Sequence, residues 1–143
     1  MSPASCRLAV ALVSTAVAVA AIPAQAQEIT LSVENRRGAP VEFRAGAGFQ
    51  GRLDREMPRV IVSGETVTRR LTTAFPDSQG GDFRYGDGTG RECNFGMLRL
   101  RDRGGPWQMP VLRAQASRSG IGCRSEIEGI DPGGDFGTRF IVE

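Results

Sequence analysis

All nineteen glycines of this chain lie at or beyond Gly38, and they divide it into short segments in which apolar and polar residues alternate. A period of two suits strands that bury one face, so the pattern predicts an all-β fold. About eight to nine short antiparallel strands are expected, packed as one small β-sandwich or barrel-like sandwich. Ile29, Leu31 and Val33 share one face, and Asn35-Arg36-Arg37-Gly38 offers a turn into Val41 and Phe43, a first hairpin. Val60 and Val62, Ser63-Gly64-Glu65 and then Val67 and Leu71 read as a second hairpin. Phe83 and Tyr85 mark a further strand, and the segments 107–116, 121–127 and 136–142 complete the set. Between Arg91 and Arg103 the apolar phase changes, from Cys93, Phe95 and Met97 to Leu98 and Leu100, which predicts a β-bulge near Gly96. Helix is scarce: Leu53 and Met57 stand four apart before Pro58, enough for a single turn.

The N-terminus reads as a secretory signal peptide over residues 1–26. Met1 to Arg7 carry one positive side chain, Leu8 to Ala21 are uninterruptedly small or apolar, and Ala24-Gln25-Ala26 presents small residues at the two positions a signal peptidase inspects. A membrane-spanning helix needs about 20 apolar residues, more than this run supplies. Cleavage before Gln27 leaves residues 27–143 as a single domain in the periplasm or outside the cell, with no membrane insertion after processing. Of the three cysteines, Cys6 departs with the leader. Cys93 and Cys123 remain, and an even count in an oxidising compartment predicts a disulfide between them.

The chain's formal charge is only +2, one unit of it on Arg7, and the two signs are interspersed, so nothing calls for a nucleic-acid partner. The sequence has no histidine and no lysine. This excludes Ser-His-Asp and Cys-His catalysis, histidine-built zinc sites and Schiff-base chemistry. Paired cysteines cannot supply a four-cysteine metal site, and no cofactor is expected. The catalysis that survives is a carboxylate pair acting on glycans, for which Asp82, Asp87 and Glu92 are the densest group. They flank Asp87-Gly88-Thr89-Gly90, however, which is a hairpin turn by composition.

Three further groups are candidates for binding. Arg99, Arg101 and Arg103 alternate with Leu98, Leu100 and Asp102, so on one strand the three guanidiniums would line one face at ~7 Å intervals and could grip an anionic envelope polymer. Trp107, the only tryptophan, is either a core anchor at a strand start or an exposed platform. Asp131 and Asp135 surround a Pro-Gly-Gly turn and are the candidate pair for calcium. The leading expectation is a non-catalytic binding module, not an enzyme, that recognises a protein or glycan ligand of the cell envelope. Loops 45–57, 76–82 and 104–110 would be its recognition surface.

Overall fold

The computed structural model describes residues 26–73 and 75–143. The signal peptide read at 1–26 therefore lies, except for Ala26, outside the described residues. Ten strands form: β1 Gln27–Asn35, β2 Val41–Phe49, β3 Arg52–Leu53, β4 Val60–Ile61, β5 Thr66–Thr73, β6 Ser78–Gly86, β7 Glu92–Leu100, β8 Val111–Ala116, β9 Cys123–Ile130 and β10 Phe136–Val142. No helix occurs among the described residues, so the turn expected around Leu53 and Met57 is replaced by β3 and an irregular strap. The strands make two five-stranded sheets, β3-β5-β1-β10-β9 and β4-β2-β6-β7-β8. Alternation along each strand turns one set of side chains into the space between the sheets, as a half-buried strand requires.

The core is that inner layer. Ile29, Leu31 and Val33 from β1 and Phe140 and Val142 from β10 face Val41, Phe83, Tyr85, Cys93 and Phe95 from the other sheet, all essentially inaccessible. Phe83 is its centre, with ring centroids of Phe49, Tyr85, Phe95 and Phe140 at 6.0, 6.2, 5.4 and 5.2 Å. Edge-to-face and tilted geometries of this kind add to simple area burial. Cys93 of β7 and Cys123 of β9 form the expected disulfide, with α-carbons 5.6 Å apart, and it joins one sheet to the other.

Pairing departs from the sequence reading in three ways. First, neither predicted hairpin exists. β1 and β2 sit in different sheets, as do β4 and β5, so both turns carry the chain across the sandwich. The reason lies in Asn35, fully buried, whose Nδ2 donates to Ala39 O and Ile61 O, both at 2.9 Å, while its Oδ1 accepts from Arg37 N. One side chain ties both turns together, and a turn signal specifies reversal without specifying the partner strand. Second, β1 and β10 run parallel, from Ile29 opposite Phe136 to Asn35 opposite Val142, within an otherwise antiparallel fold. Third, β7 pairs with β6 without a break from Glu92 to Leu100, so there is no bulge at Gly96. The irregularities fall instead in β2 between Arg44 and Gly48 and in β10 between Gly137 and Thr138.

Candidate functional site

Without a bulge, strict alternation along β7 continues past Met97. It turns Arg99 inward and leaves Leu98 and Leu100 on the outer face, 38% and 41% exposed. Val111 of β8 stands directly opposite Leu98, and Gln108 N donates to Leu100 O at 2.8 Å, extending the ladder towards Met109. Val111 is 67% and Met109 65% exposed. Leu98, Leu100, Met109 and Val111 thus present apolar side chains from paired strands at one edge of the sheet. Phe75 and Ile130 are exposed on loops or strand ends at this same end of the sandwich, whereas Val60 and Val62 stand apart beside the opposite edge. Contiguous exposed apolar area on a rigid scaffold marks an interaction surface.

Next to this face lies a depression of about 330 Å3 lined by Gly48, Gly81, Asp82, Leu98, Val111 and Arg113 among others. Gly96 creates it, because the cross-strand neighbours of Gly96 are Asp82 on one side and Arg113 on the other, and nothing projects between them. Arg113 Nε lies only 3.4 Å from where a β-carbon of Gly96 would be, so its stem already leans over the gap. Neither Asp82 nor Arg113 has an ion-pair partner among the described residues. The surface therefore combines an apolar strip with one free carboxylate and one free guanidinium.

The end of the sandwich behind this face is held by Arg99, which is only 2% exposed. Its Nε donates to Gln108 O at 2.8 Å, and its Nη1 donates to the carbonyls of Asp131, Gly134 and Asp135 at 2.9, 2.7 and 2.9 Å. Its guanidinium also lies 5.9 Å from the Trp107 ring centroid and 6.0 Å from that of Phe136. Burial works against its charge and lowers its pKa, with the nearby acids Asp131 and Asp135 opposing that effect. Gln79, also fully buried, reaches Gly134 O through its Nε2. Gly134 adopts φ 121° with the Trp107 ring close against it, a site where a side chain would clash.

This arrangement corrects the reading of three arginines in a row. Arg99 is interior. Arg101 donates to Pro76 O at 2.6 Å, pairs with Asp77 at 3.5 Å and lies 4.9 Å from the Trp107 centroid. Arg103 is exposed in the turn beyond the strand. The three side chains point to three environments because β7 ends at Leu100. Trp107 is neither a core anchor nor a free platform; it is half-buried under two guanidiniums. Of the loops expected to form a recognition surface, residues 78–82 belong to β6 and 45–49 to β2, while 104–110 does border the apolar face.

The remaining candidates are engaged locally. Asp131 Oδ1 accepts from Gly133 N at 2.6 Å, and Asp135 Oδ1 accepts from Glu28 N at 2.7 Å. Among the described residues no group of three or more acidic, cysteine or histidine side chains converges as metal ligands would, so the calcium candidate lacks a ligand set. The carboxylates considered for catalysis do not pair across a cleft. Glu92 bridges Arg44 and Arg84 at 3.3 and 3.4 Å, and Asp87 closes the β6–β7 turn. There Asp87 accepts from the Thr89 hydroxyl at 2.7 Å and the Thr89 amide at 2.9 Å, with Arg91 at 2.7 Å and Arg37 at 3.4 Å.

The hydrogen bonds from Thr89, with help from Arg91, hold the Asp87 carboxyl down at about 2, below its ordinary 3.8. A depressed folded-state pKa means stability that is present above the ordinary carboxylate range and is lost as pH falls towards the folded value. Asp87→Asn should therefore flatten the acid limb of the stability profile between about pH 4 and 2 while leaving the neutral region less affected. Urea melts of both proteins across that range check it, and parallel acid limbs would show that Asp87 contributes nothing.

No family model matches the sequence, and no curated protein matches it. Among solved structures, the lipid-binding protein Nakanori superposes with a TM-score of 0.64 at 12% identity, over 82% of this chain and 71% of its own. The RahU protein, in complex with a Tris molecule, gives 0.62 at 15% identity over 81% and 93%. IP-1A from Alcaligenes faecalis gives 0.54 at 16% identity over 84% and 92%. At these identities the likeness is one of fold: this chain shares the two-sheet sandwich of those three proteins.

Proposed function

We propose that this chain is an exported, non-catalytic binding module that docks on a lipid surface through the outer face of β7 and β8. The observation that carries the reading is the exposed strip Leu98, Leu100, Met109 and Val111, set on paired strands beside the unpaired Asp82 and Arg113. Large aliphatic side chains held out in water on a rigid sheet gain free energy only when a partner covers them. An interface of lipid acyl chains and headgroups matches both halves of this surface, since the strip is apolar and its neighbours carry one charge of each sign. A glycan, one of the ligand classes expected from the sequence, fits the aliphatic strip less well because its surface is mostly hydroxyl. Support also comes from the shared fold, because one of its members is described as lipid-binding. Export follows from the signal peptide read in the sequence.

Co-sedimentation with phosphatidylcholine vesicles, with and without a phosphatidylglycerol fraction, tests the proposal. The protein should pellet with the vesicles, and Val111→Asp combined with Met109→Glu should weaken binding by roughly a hundredfold or more, about tenfold for each buried aliphatic side chain exchanged for a charge. Both positions are exposed, so the fold should survive. Equal sedimentation of the two proteins, or none of either, would contradict the proposed face.

A further inference from the structure

The sandwich has two seams, and they are built differently. On one side β8 and β9 approach each other and the Cys93–Cys123 disulfide spans the sheets. On the other, between the edges formed by β3 and β4, the chain passes from sheet to sheet through short connections, the longest of them the strap 54–59. Beneath that strap is a cleft of about 540 Å3 lined by Phe43, Phe49, Leu53, Glu56, Met57 and Arg59. Its volume lies within the ~300–1,000 Å3 of small-molecule sites, and four of its six lining residues are apolar. Two of those are aromatic rings already placed by the core, Phe43 at 5.4 Å from Tyr85 and Phe49 stacked on Phe83.

The strap is fixed along its length, so the cleft is preformed. Asp54 N donates to Arg70 O at 2.9 Å and Asp54 Oδ1 accepts from Arg70 N at 3.0 Å. Arg69 Nε donates to Glu56 O and the Tyr85 hydroxyl donates to Pro58 O, at 2.8 and 2.9 Å. Phe43 N donates to Arg59 O at 2.8 Å. The charge around it is one-sided. Arg52, Arg55, Arg59 and Arg69 have no carboxylate partner among the described residues, and Asp54 spends its carboxylate on backbone amides. Glu56 is the single unpaired acid on the strap.

We infer that this cleft binds a single-chain anionic amphiphile, a long-chain fatty acid, with the alkyl chain between Phe43, Phe49, Leu53 and Met57 and the carboxylate at Arg59. Burial of the chain supplies the affinity, roughly fourfold per methylene, and the uncompensated arginines select an anionic head over a neutral one. The site lies at the opposite edge of its sheet from β8, so it is separate from the proposed lipid-surface face and does not depend on it.

Displacement of cis-parinaric acid, read by its fluorescence below micelle-forming concentrations, is the test. The full-length mature protein should take up the probe saturably and release it to dodecanoate, with decanoate, two methylenes shorter, roughly fifteenfold weaker. Arg59→Glu, at an exposed side chain, should weaken dodecanoate roughly tenfold and leave dodecanol unchanged. Leu53→Trp should occlude the cleft and abolish uptake of both; should that variant fail to fold, Arg59→Glu still decides. Val111→Asp should leave uptake intact. No saturable uptake, an Arg59→Glu effect equal on acid and alcohol or absent from both, or uptake abolished by Val111→Asp would each overturn the assignment.

Discussion

Replacing Arg99 by methionine should destabilise the protein by about 3 kcal/mol or more and lower Tm by on the order of 10 °C. Methionine approximates the length of the stem, so the loss is not chiefly one of volume. It arises because the carbonyls of Gln108, Asp131, Gly134 and Asp135 all lose the one guanidinium that gathers them, and only the weaker donors of the turn and of Gln79 remain to Asp131, Gly134 and Asp135. Arg99→Lys should recover only a fraction, since an ammonium cannot reproduce the planar fork that reaches both Gln108 and the 131–135 turn. Arg103→Ala, in the exposed turn, should stay within about 0.5 kcal/mol. Thermal and urea melts of the three variants measure this directly, and equal effects at positions 99 and 103 would refute the buried-clamp account. The clamp bears on the proposed docking face because it anchors the 101–110 loop at Gln108, which sets the start of β8 and hence Val111.

Removing the disulfide should have an effect of similar size. Cys93 and Cys123 are 30 residues apart, and a loop of that length corresponds to about 3.5 kcal/mol of unfolded-state restriction on the chain-entropy model. The Cys93→Ala/Cys123→Ala double variant, which leaves no odd thiol, should lose roughly that amount and melt on the order of 10 °C lower. Reductant should reproduce the shift in the parent and do nothing to the double variant. Because the bridge closes the β8–β9 seam, vesicle binding should weaken only as far as the fold itself does. Identical melting of parent and double variant would show that packing alone holds the seam.

The faces of strands were legible in the sequence; their partners were not. Alternation at Ile29, Leu31 and Val33, at Phe83 and Tyr85, and at Cys93 and Phe95 identified core residues, because a period of two reports burial directly. It carries no information on which strand lies alongside. The turn at 35–38 was real, yet the pairing depended on the Asn35 side chain reaching Ile61, a contact between segments remote in sequence. The parallel β1–β10 pair joins the first and last strands of the described residues and has no local signature. At β7, two leucines out of phase predict a bulge only on the premise that leucine faces inward and arginine outward. The opposite holds there: a guanidinium finds four carbonyl acceptors inside, and the leucines are left outside.

That phase conflict was the signal for the exposed face proposed to dock on lipid. Leu98 and Leu100 in outward register, with Val111 at the next strand start, define an exposed apolar strip once alternation is followed strictly through Arg99. What the sequence could not supply was the β7–β8 register, which is set by the loop that Arg99 holds. Nor did spacing show that the side chain missing at Gly96 would separate Asp82 from Arg113, since that depends on three strands coming together.

Amide hydrogen exchange with and without phosphatidylcholine vesicles tests the central claim most directly. If the outer face of β7 and β8 docks on lipid, vesicles should slow exchange in peptides covering 96–113, with the 35–39, 87–91 and 117–122 turns at the other end of the sandwich unchanged. In Val111→Asp that protection should be lost while the vesicle-free pattern stays the same. Protection confined to the opposite end, or no vesicle-dependent change anywhere, would contradict the account.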